Sequence, residues 1–98
     1  MEKRSAVPTL QIENERVRVT EWRFAPGAAT GWHRHEYDYV VVPLYTGQLS
    51  VESKEQTVAA DLATGVPYYR PAGAEHDVTN ANPYEFAFIE IEFKTPAG

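Results

Sequence analysis

The sequence of 98 residues contains no cysteine. This absence excludes disulfide bonds, thiolate metal sites and a cysteine nucleophile. A basic cluster is also missing, because the nine Lys and Arg residues are scattered and fourteen Asp and Glu residues bring the net charge to -5. Sequence-independent binding of nucleic acid needs clustered Lys and Arg, so no nucleic-acid partner is expected.

Long apolar runs are absent as well. The N-terminal segment MEKRSAVPTL is charged and then interrupted by proline, unlike a signal peptide, and no segment approaches the length of a membrane span. We therefore predict a cytoplasmic chain without a membrane partner. The length fits one domain, residues 1–98, and 43% apolar with 23% charged residues is typical of a folded globular protein.

Helical periodicity is hard to find in the chain, whereas short β-branched and aromatic runs recur between Gly, Pro and Asn residues. These runs predict nine strands, at 9–13, 16–24, 32–35, 37–45, 48–52, 56–60, 66–70, 76–80 and 84–93. Strands at this spacing, without helices between them, predict an all-β sandwich or a small barrel.

Two of the predicted strands have unusual patterns. In 16–24 the valines and the two aromatic residues fall on opposite parities, which predicts a β-bulge near Thr20–Glu21. In 84–93 the residues 86–89 are apolar on both parities. This pattern predicts a strand that is buried on both faces at its centre.

Two of the three histidines, His33 and His35, are separated by one residue. On a strand their side chains point to the same face, with Cα atoms about 6.6 Å apart, so both imidazoles can bind one ion at about 2.0–2.1 Å. His76, which follows a Pro-Ala-Gly turn, is the remaining imidazole, and in a barrel it can face the first pair from across the sheet. The alternative is that each histidine is structural or exposed.

Two segments resemble the paired signatures of the cupin superfamily, small β-barrels that hold a metal ion at the barrel centre. The first segment, at about 27–47, matches its signature at Gly27, His33, His35 and Gly47. The second, at about 65–80, matches without gaps at Gly65, Pro71, Gly73, His76 and Asn80. The resemblance implies a single cupin domain of the jelly-roll type, in which Asn80 is structural. It also implies that His33, His35 and His76 bind one divalent cation (Fe, Zn, Ni, Mn or Cu).

The chain departs from the family pattern at the glutamate of the first signature, which should fall at Tyr39 or Val40. Regular alternation turns Tyr39 inward and turns Glu36 and Asp38 outward, which leaves a site of three histidines with Tyr39 in the place of the glutamate. A phenol with a reference pKa near 10 is a poor ligand while protonated. We expect Tyr39 to donate a hydrogen bond to a metal-bound water or substrate, which makes it the candidate catalytic residue. A bulge would instead bring Asp38 or Glu36 to the metal.

Further side chains are candidates for contact with a ligand. Six aromatic residues can form the wall of a pocket, although ordinary packing is the simpler interpretation: Trp22, Phe24, Trp32, Tyr68, Phe86 and Phe88. Arg70 and Arg23 can pair with a substrate carboxylate, because a guanidinium offers two parallel donors. A surface ion pair is the alternative for each arginine.

The function implied by the resemblance stays open among three classes. Three neutral histidines leave the charge of a divalent cation uncompensated, which favours open coordination positions and an anionic small-molecule ligand. The site looks like that of the three-histidine cupins, which include dioxygenases, so the first hypothesis is a metal-dependent, dioxygenase-like enzyme acting on a small organic metabolite. The second is a non-catalytic binding or sensing module, and the third is a metal-free structural cupin.

A homodimer is also expected by resemblance. Cupins usually dimerise through the outer face of a sheet or by exchange of an N-terminal strand. The predicted strand 9–13 is short and needs a partner.

Overall fold

A computed structural model of the protein describes residues 3–94. Its strands, in chain order, are β1 (Val7–Glu13), β2 (Val17–Phe24), β3 (His33–Arg34), β4 (Asp38–Pro43), β5 (Gly47–Glu52), β6 (Thr57–Leu62), β7 (Tyr68–Arg70), β8 (Glu75–Asn80) and β9 (Phe86–Phe93). The nine predicted strands are therefore confirmed, with differences of a few residues in their bounds. No helix, and so none long and apolar enough to cross a membrane, occurs within 3–94. Residues 1–2 and 95–98, the ends of the predicted domain, lie outside the described residues.

The strands form two antiparallel sheets. One has the order β1-β2-β9-β4-β7 and the other the order β3-β8-β5-β6. Strands distant in the chain are neighbours in both sheets, so that β9 lies between β2 and β4, and β8 between β3 and β5. Two sheets connected by such crossovers are the jelly-roll type of arrangement, and the predicted all-β fold class is confirmed.

The core lies between the two sheets and draws side chains from both. Its buried members from the strands are Phe24, Tyr39, Val41, Leu49, Leu62, Val78, Phe86 and Phe88. Along β4 every second residue is buried, which follows from the period-two alternation of side chains on a strand. The inner face of β4 therefore begins with Tyr39, and this places the tyrosine among the core residues.

Asn80 stands at the end of β8 and is 2% exposed. Its side-chain amide donates to the backbone oxygen of Tyr84 (2.8 Å), and its side-chain oxygen accepts from the backbone nitrogen of Asn82 (2.9 Å). These bonds hold the turn that leads into β9. The structural role that the resemblance implied for Asn80 fits these contacts.

The bulge predicted in β2 is wrong. β2 pairs residue for residue with β9 from Val17 to Phe24, and the irregularity lies in β1, between Leu10 and Ile12. The aromatic residues of β2 point into the molecule, while its valines are half-buried on the outer face of the same regular strand. The valines indicate an apolar outer face, and the change of parity in the sequence does not require a bulge.

β9 is buried on both faces where it begins, whereas the sequence predicted such burial at the centre of the strand. Residues 86–88 are all buried. Further along the strand, Ile89 and Ile91 are half-buried on the outer face, and Glu90 and Glu92 are buried on the inner face. The inner surface of the five-stranded sheet therefore changes from aromatic to acidic along β9.

Candidate metal centre

The three histidines meet where β3 pairs with β8. His33 lies directly opposite His76 in the antiparallel pair. His35 follows β3 and is fixed to the turn before β8, because its backbone nitrogen donates to the oxygen of Ala74 (2.9 Å) and its oxygen accepts from the nitrogen of Gly73 (2.8 Å). The sequence placed His76 across a barrel from the pair, whereas the structure places it on the neighbouring strand.

The imidazole nitrogens converge on one point. The Nε2 atoms of His33 and His35 are 3.0 Å apart, and those of His35 and His76 are 3.1 Å apart. Two nitrogens that each bind one ion at about 2.0–2.1 Å can be at most about 4 Å apart, so these separations fit a shared ion. The three predicted ligands form a group that can hold a metal ion.

The hydrogen bonds of His33 fix which of its ring nitrogens faces the centre as an acceptor. Its Nδ1 lies 2.9 Å from the backbone oxygen of Gly31 and 3.2 Å from Oγ1 of Thr30. A carbonyl oxygen only accepts, so Nδ1 carries the proton and Nε2 presents a lone pair to the other histidines. This arrangement is typical of metal-binding histidines, whose second nitrogen donates to a backbone carbonyl or a carboxylate.

Burial keeps two of the imidazoles neutral. Burial, together with the nearby His33 and His76, lowers the pKa of His35 to about 3. Burial, together with His33 and Arg70 and against the opposing charge of Asp77, lowers the pKa of His76 to about 4. Neutral imidazoles are the form that binds a metal ion, so no proton has to be removed from these two side chains at neutral pH.

Tyr39 lies inside the molecule, 3% exposed, where the regular alternation placed it. Its ring stacks on the imidazole of His35, with centroids 3.9 Å apart and an interplanar angle of 18°. Burial, together with the nearby Tyr68 and Glu90, raises the pKa of its phenol. The phenol is therefore protonated at neutral pH and is a hydrogen-bond donor beside the histidines, and its catalytic role stays a prediction.

The two alternative carboxylate ligands lie elsewhere. Asp38 accepts hydrogen bonds from the hydroxyl of Tyr69 and from the backbone nitrogen of Ala72 (2.7 Å), and these two bonds hold its carboxylate beside β7 and the following turn. Glu36 is exposed. Among residues 3–94, neither joins the histidines in a group whose ligand atoms lie close together.

Two buried glutamates near the site were missed by the sequence analysis. Glu90 is 8% exposed and Glu92 7% exposed, and both have a carboxylate oxygen within 4.8 Å of a ring nitrogen of His35. The available signal was parity, because Phe86 and Phe88 point inward and the same parity continues to both glutamates. Acidic residues that alternate with isoleucines look instead like the solvent face of a strand.

A cavity of about 330 Å³ opens beside the histidines. Much of its lining is apolar and comes from both sheets, including Val41, Leu49, Val51, Leu62 and Val78. Three of the six aromatic candidates contribute to the wall: Trp22, Tyr68 and Phe88. Phe24 and Phe86 are core residues, and Trp32 is 49% exposed.

The two candidate arginines have different environments. Arg23 pairs with Glu21 (3.0 Å) and Glu85 (2.8 Å), which is the surface ion pair that the sequence left as the alternative. Arg70 lines the cavity, and its guanidinium carbon lies 5.1 Å from the centre of the Tyr68 ring. Within 3–94, Arg70 has no acidic partner at ion-pair distance.

Comparison with known proteins agrees with this fold, although no family model matches the chain. The β-alanine degradation protein BauB of Pseudomonas aeruginosa is 56% identical over 89 residues, which cover 91% of this chain and 94% of that protein. The crystal structure of a cupin domain from Bordetella pertussis is 57% identical, with a TM-score of 0.95 over 97% of this chain and 99% of that one. A structure from Thermus thermophilus is 27% identical, with a TM-score of 0.73 over 94% and 86% of the two chains. The chain belongs to the cupin superfamily.

Proposed function

We propose that this cupin is a metal-dependent enzyme that acts on a small organic acid in the cavity beside the histidines. The observation that carries the proposal is the convergence of the three Nε2 atoms, 3.0 and 3.1 Å apart, at this cavity. His33, His35 and His76 would hold one divalent cation, namely Fe, Zn, Ni, Mn or Cu. A redox-active ion among these would supply the dioxygen chemistry of a dioxygenase.

The residues around the histidines support an acid as the substrate. Three neutral imidazoles leave the charge of the cation uncompensated, and Arg70 adds a further positive charge to the lining. Tyr39, protonated and beside His35, would donate its hydroxyl proton in a hydrogen bond to a bound oxygen atom. The apolar wall would exclude water from the rest of the substrate.

The size of the cavity and the most informative relative support a small substrate. A volume of about 330 Å³ lies near the lower end of the range for ligand pockets. The name of the Pseudomonas relative connects that protein with the degradation of β-alanine, a small amino acid. We extend to this chain a substrate of comparable size, and we include a cytoplasmic location in the proposal.

Metal analysis and oxygen consumption test the proposal. Untagged wild-type protein should contain near one equivalent of a divalent metal, and His35→Ala near none, because the variant lacks one of the three nitrogens. Glu36→Gln is the matched control, since Glu36 is the exposed neighbour of His35 and should leave the metal content unchanged. Equal metal contents in wild type and His35→Ala would contradict the assignment.

Oxygen consumption is then measured with a panel of small carboxylic acids on protein loaded with each candidate ion. Turnover of one acid by wild type, and not by His35→Ala, is the expected result. Protein that retains metal and binds an acid, yet consumes no oxygen and forms no product, would instead be a binding or sensing module.

A further inference from the structure

Glu90 is a buried carboxylate beside the histidines. It is 8% exposed and lines the cavity that contains the histidines. Its neighbour Glu92 accepts two hydrogen bonds from the guanidinium of Arg18, at 2.8 and 3.1 Å. In the part of the chain that the structure describes, Glu90 forms no ion pair. The side chain of Trp22 donates a hydrogen bond to Glu90 and the charge of Arg18 also favours the carboxylate, but burial and Glu92 outweigh both and raise the pKa of Glu90. A buried carboxylate is costly unless it is paired, so a cationic ligand group that pairs with Glu90 would remove a cost that the fold leaves in place.

Arg70 also lines the cavity, and its guanidinium has no acidic partner at ion-pair distance among residues 3–94. Glu90 pairs in register with Val41, and Arg70 with Tyr39, so the central strand β4 separates the two charged residues. Two strand spacings and a two-residue offset put their Cα atoms roughly 12 Å apart. The two side chains line one cavity, yet they do not pair with each other.

The charges of Glu90 and Arg70 both affect the pKa values of the phenols of Tyr39 and Tyr68. Burial raises the pKa of Tyr39 and of Tyr68, and in each case Glu90 raises the pKa further while Arg70 opposes the shift. The only other acid that lines the cavity among residues 3–94, Asp61, is exposed and accepts a hydrogen bond from the side chain of Gln48 (3.1 Å). Glu90 is therefore the one buried carboxylate among the lining residues.

We propose that the cavity binds a short amino carboxylate, whose carboxylate pairs with Arg70 and whose ammonium group pairs with Glu90. The inference rests on the proposed function, because it specifies the class of acid that the metal site would act on. Opposite charges held apart on one wall bind a molecule that carries both complementary charges better than one that carries a single charge. Glu90 and Arg70 then select the substrate, and the histidines and Tyr39 remain the reactive end of the cavity.

Calorimetry on zinc-loaded protein tests the inference without turnover, since zinc is not redox active. The probes are propanoate, 3-hydroxypropanoate and 3-aminopropanoate, which differ only in the group at the end remote from the carboxylate. Wild type should bind 3-aminopropanoate about tenfold or more tightly than propanoate, the ratio expected for one hydrogen-bonded charge pair. Wild type that binds none of the three, or that binds all three equally, would overturn the inference.

Two variants assign the charges. Glu90→Gln should lose the preference for 3-aminopropanoate and keep the affinity for propanoate. Arg70→Gln should weaken all three probes by about tenfold. Glu85→Gln and Arg16→Gln are the matched controls, because they remove an acid and a base that do not line the cavity, and they should bind as wild type does.

The remaining outcomes also decide the question. One such outcome is that wild type binds 3-hydroxypropanoate most tightly and loses this preference in Glu90→Gln. Glu90 would then pair with a neutral hydroxyl donor and not with an ammonium group, and the inference would be overturned. Loss of zinc from Glu90→Gln would make Glu90 a metal ligand and overturn it as well. Failure of the proposed function would be seen in the other experiments, as wild-type protein that contains no metal or that turns over no acid. It is therefore distinguishable from failure of this inference, which is seen in the ranking of the three probes. If a variant does not fold, the ranking of the three probes on wild type still decides.

Discussion

The ring of Tyr39 lies flat against His35, and this contact separates what the ring does from what the hydroxyl does. Tyr39→Phe keeps the stacking and removes the hydroxyl. We expect metal content within error of wild type, because the protonated phenol is not a ligand, and about tenfold weaker binding or slower turnover of an acid, because one hydrogen bond is lost. Metal analysis and calorimetry on the same samples measure both effects.

Asp38→Asn is the comparison for Tyr39→Phe. If Asp38 reached the metal through a bulge, this variant would lose metal and Tyr39→Phe would change nothing. Since Asp38 instead accepts from Tyr69 and Ala72, we expect unchanged metal content and a lower melting temperature. Metal loss in Asp38→Asn would restore the alternative that the sequence left open.

Titration of the site should appear in the stability of the metal-free protein. The folded-state pKa values of His35 and His76 are about 3 and 4, below the unfolded value of about 6.5. The unfolded chain therefore binds more protons below pH 6.5, and each group removes up to about 1.4 kcal/mol of stability per pH unit as the pH falls. Glu90 has the opposite effect, because its pKa is raised to about 7, chiefly by burial, and protonation relieves a buried charge.

The variant Glu90→Gln separates the effect of Glu90 on the pH dependence of stability from the opposite effect of the two histidines. Without Glu90, the metal-free protein should lose stability more steeply between pH 7 and pH 5 than wild type, and should be more stable than wild type near pH 8. Urea unfolding at several pH values measures both differences. Identical pH profiles for Glu90→Gln and wild type would show that the carboxylate is not perturbed by burial.

Part of the site could be predicted from single residues. Two features are local and can be predicted from the sequence. One is the spacing of His33 and His35, and the other is the alternation that turns Tyr39 inward. Glu90 was missed because its burial depends on which face of β9 the core takes, and isoleucines and glutamates alternate there. The position of Arg70 in the cavity lining likewise depends on contacts with segments that are distant in the chain.

Among the connecting segments, the turn before β8 links backbone conformation to the metal centre. Gly73 has a φ of 102°, and its nitrogen donates to the oxygen of His35 at 2.8 Å. Gly73→Ala should cost about 1–2 kcal/mol of stability, the penalty of a side chain in the left-handed region. It should also weaken metal binding, because relaxation of the turn moves His35.

Gly65→Ala is the matched control for this prediction. Gly65 has a φ of 75°, and at both glycines an added Cβ would meet no atom within 4 Å, so the backbone strain is comparable. Gly65 does not line the cavity. Thermal melts should show a similar loss for the two variants, and metal titration should show a loss of affinity for Gly73→Ala alone. Equal metal affinities would mean that the turn does not position His35.

Strand positions could be predicted because runs of β-branched and aromatic residues and the breakers between them are local signals. The bulge was misplaced because parity alone does not say which face is the core. A bulge would have put Val17 and Val19 on the same face as Trp22 and Phe24, whereas the two valines lie half-buried on the outer face of β2. The pairing order of the strands, with β9 between β2 and β4, is set by contacts between segments that are distant in the chain. The residues of a single strand do not predict it.

At the scale of the whole molecule, the outer face of the five-stranded sheet is apolar at its centre. Val19 pairs with Ile91, and Val40 pairs with Ile91 from the other side, and all three are half-buried. Monomers rarely expose large contiguous apolar patches. We propose that a second copy of the chain covers this face, because its uncharged centre lets two chains of net charge -5 approach without direct repulsion.

Light scattering tests the dimer. The chain mass is 11.0 kDa, so twice that mass is expected for wild type. Ile91→Lys should give the monomer mass, since each chain would bury a lysine charge at the centre of the shared face. The matched control is Val58→Lys, at a position 47% exposed on β6 of the other sheet, and it should stay dimeric. Wild type at the monomer mass up to high concentration would contradict the dimer. A dimer that persists in Ile91→Lys and dissociates in a variant of β1 would move the interface to the exposed edge strand.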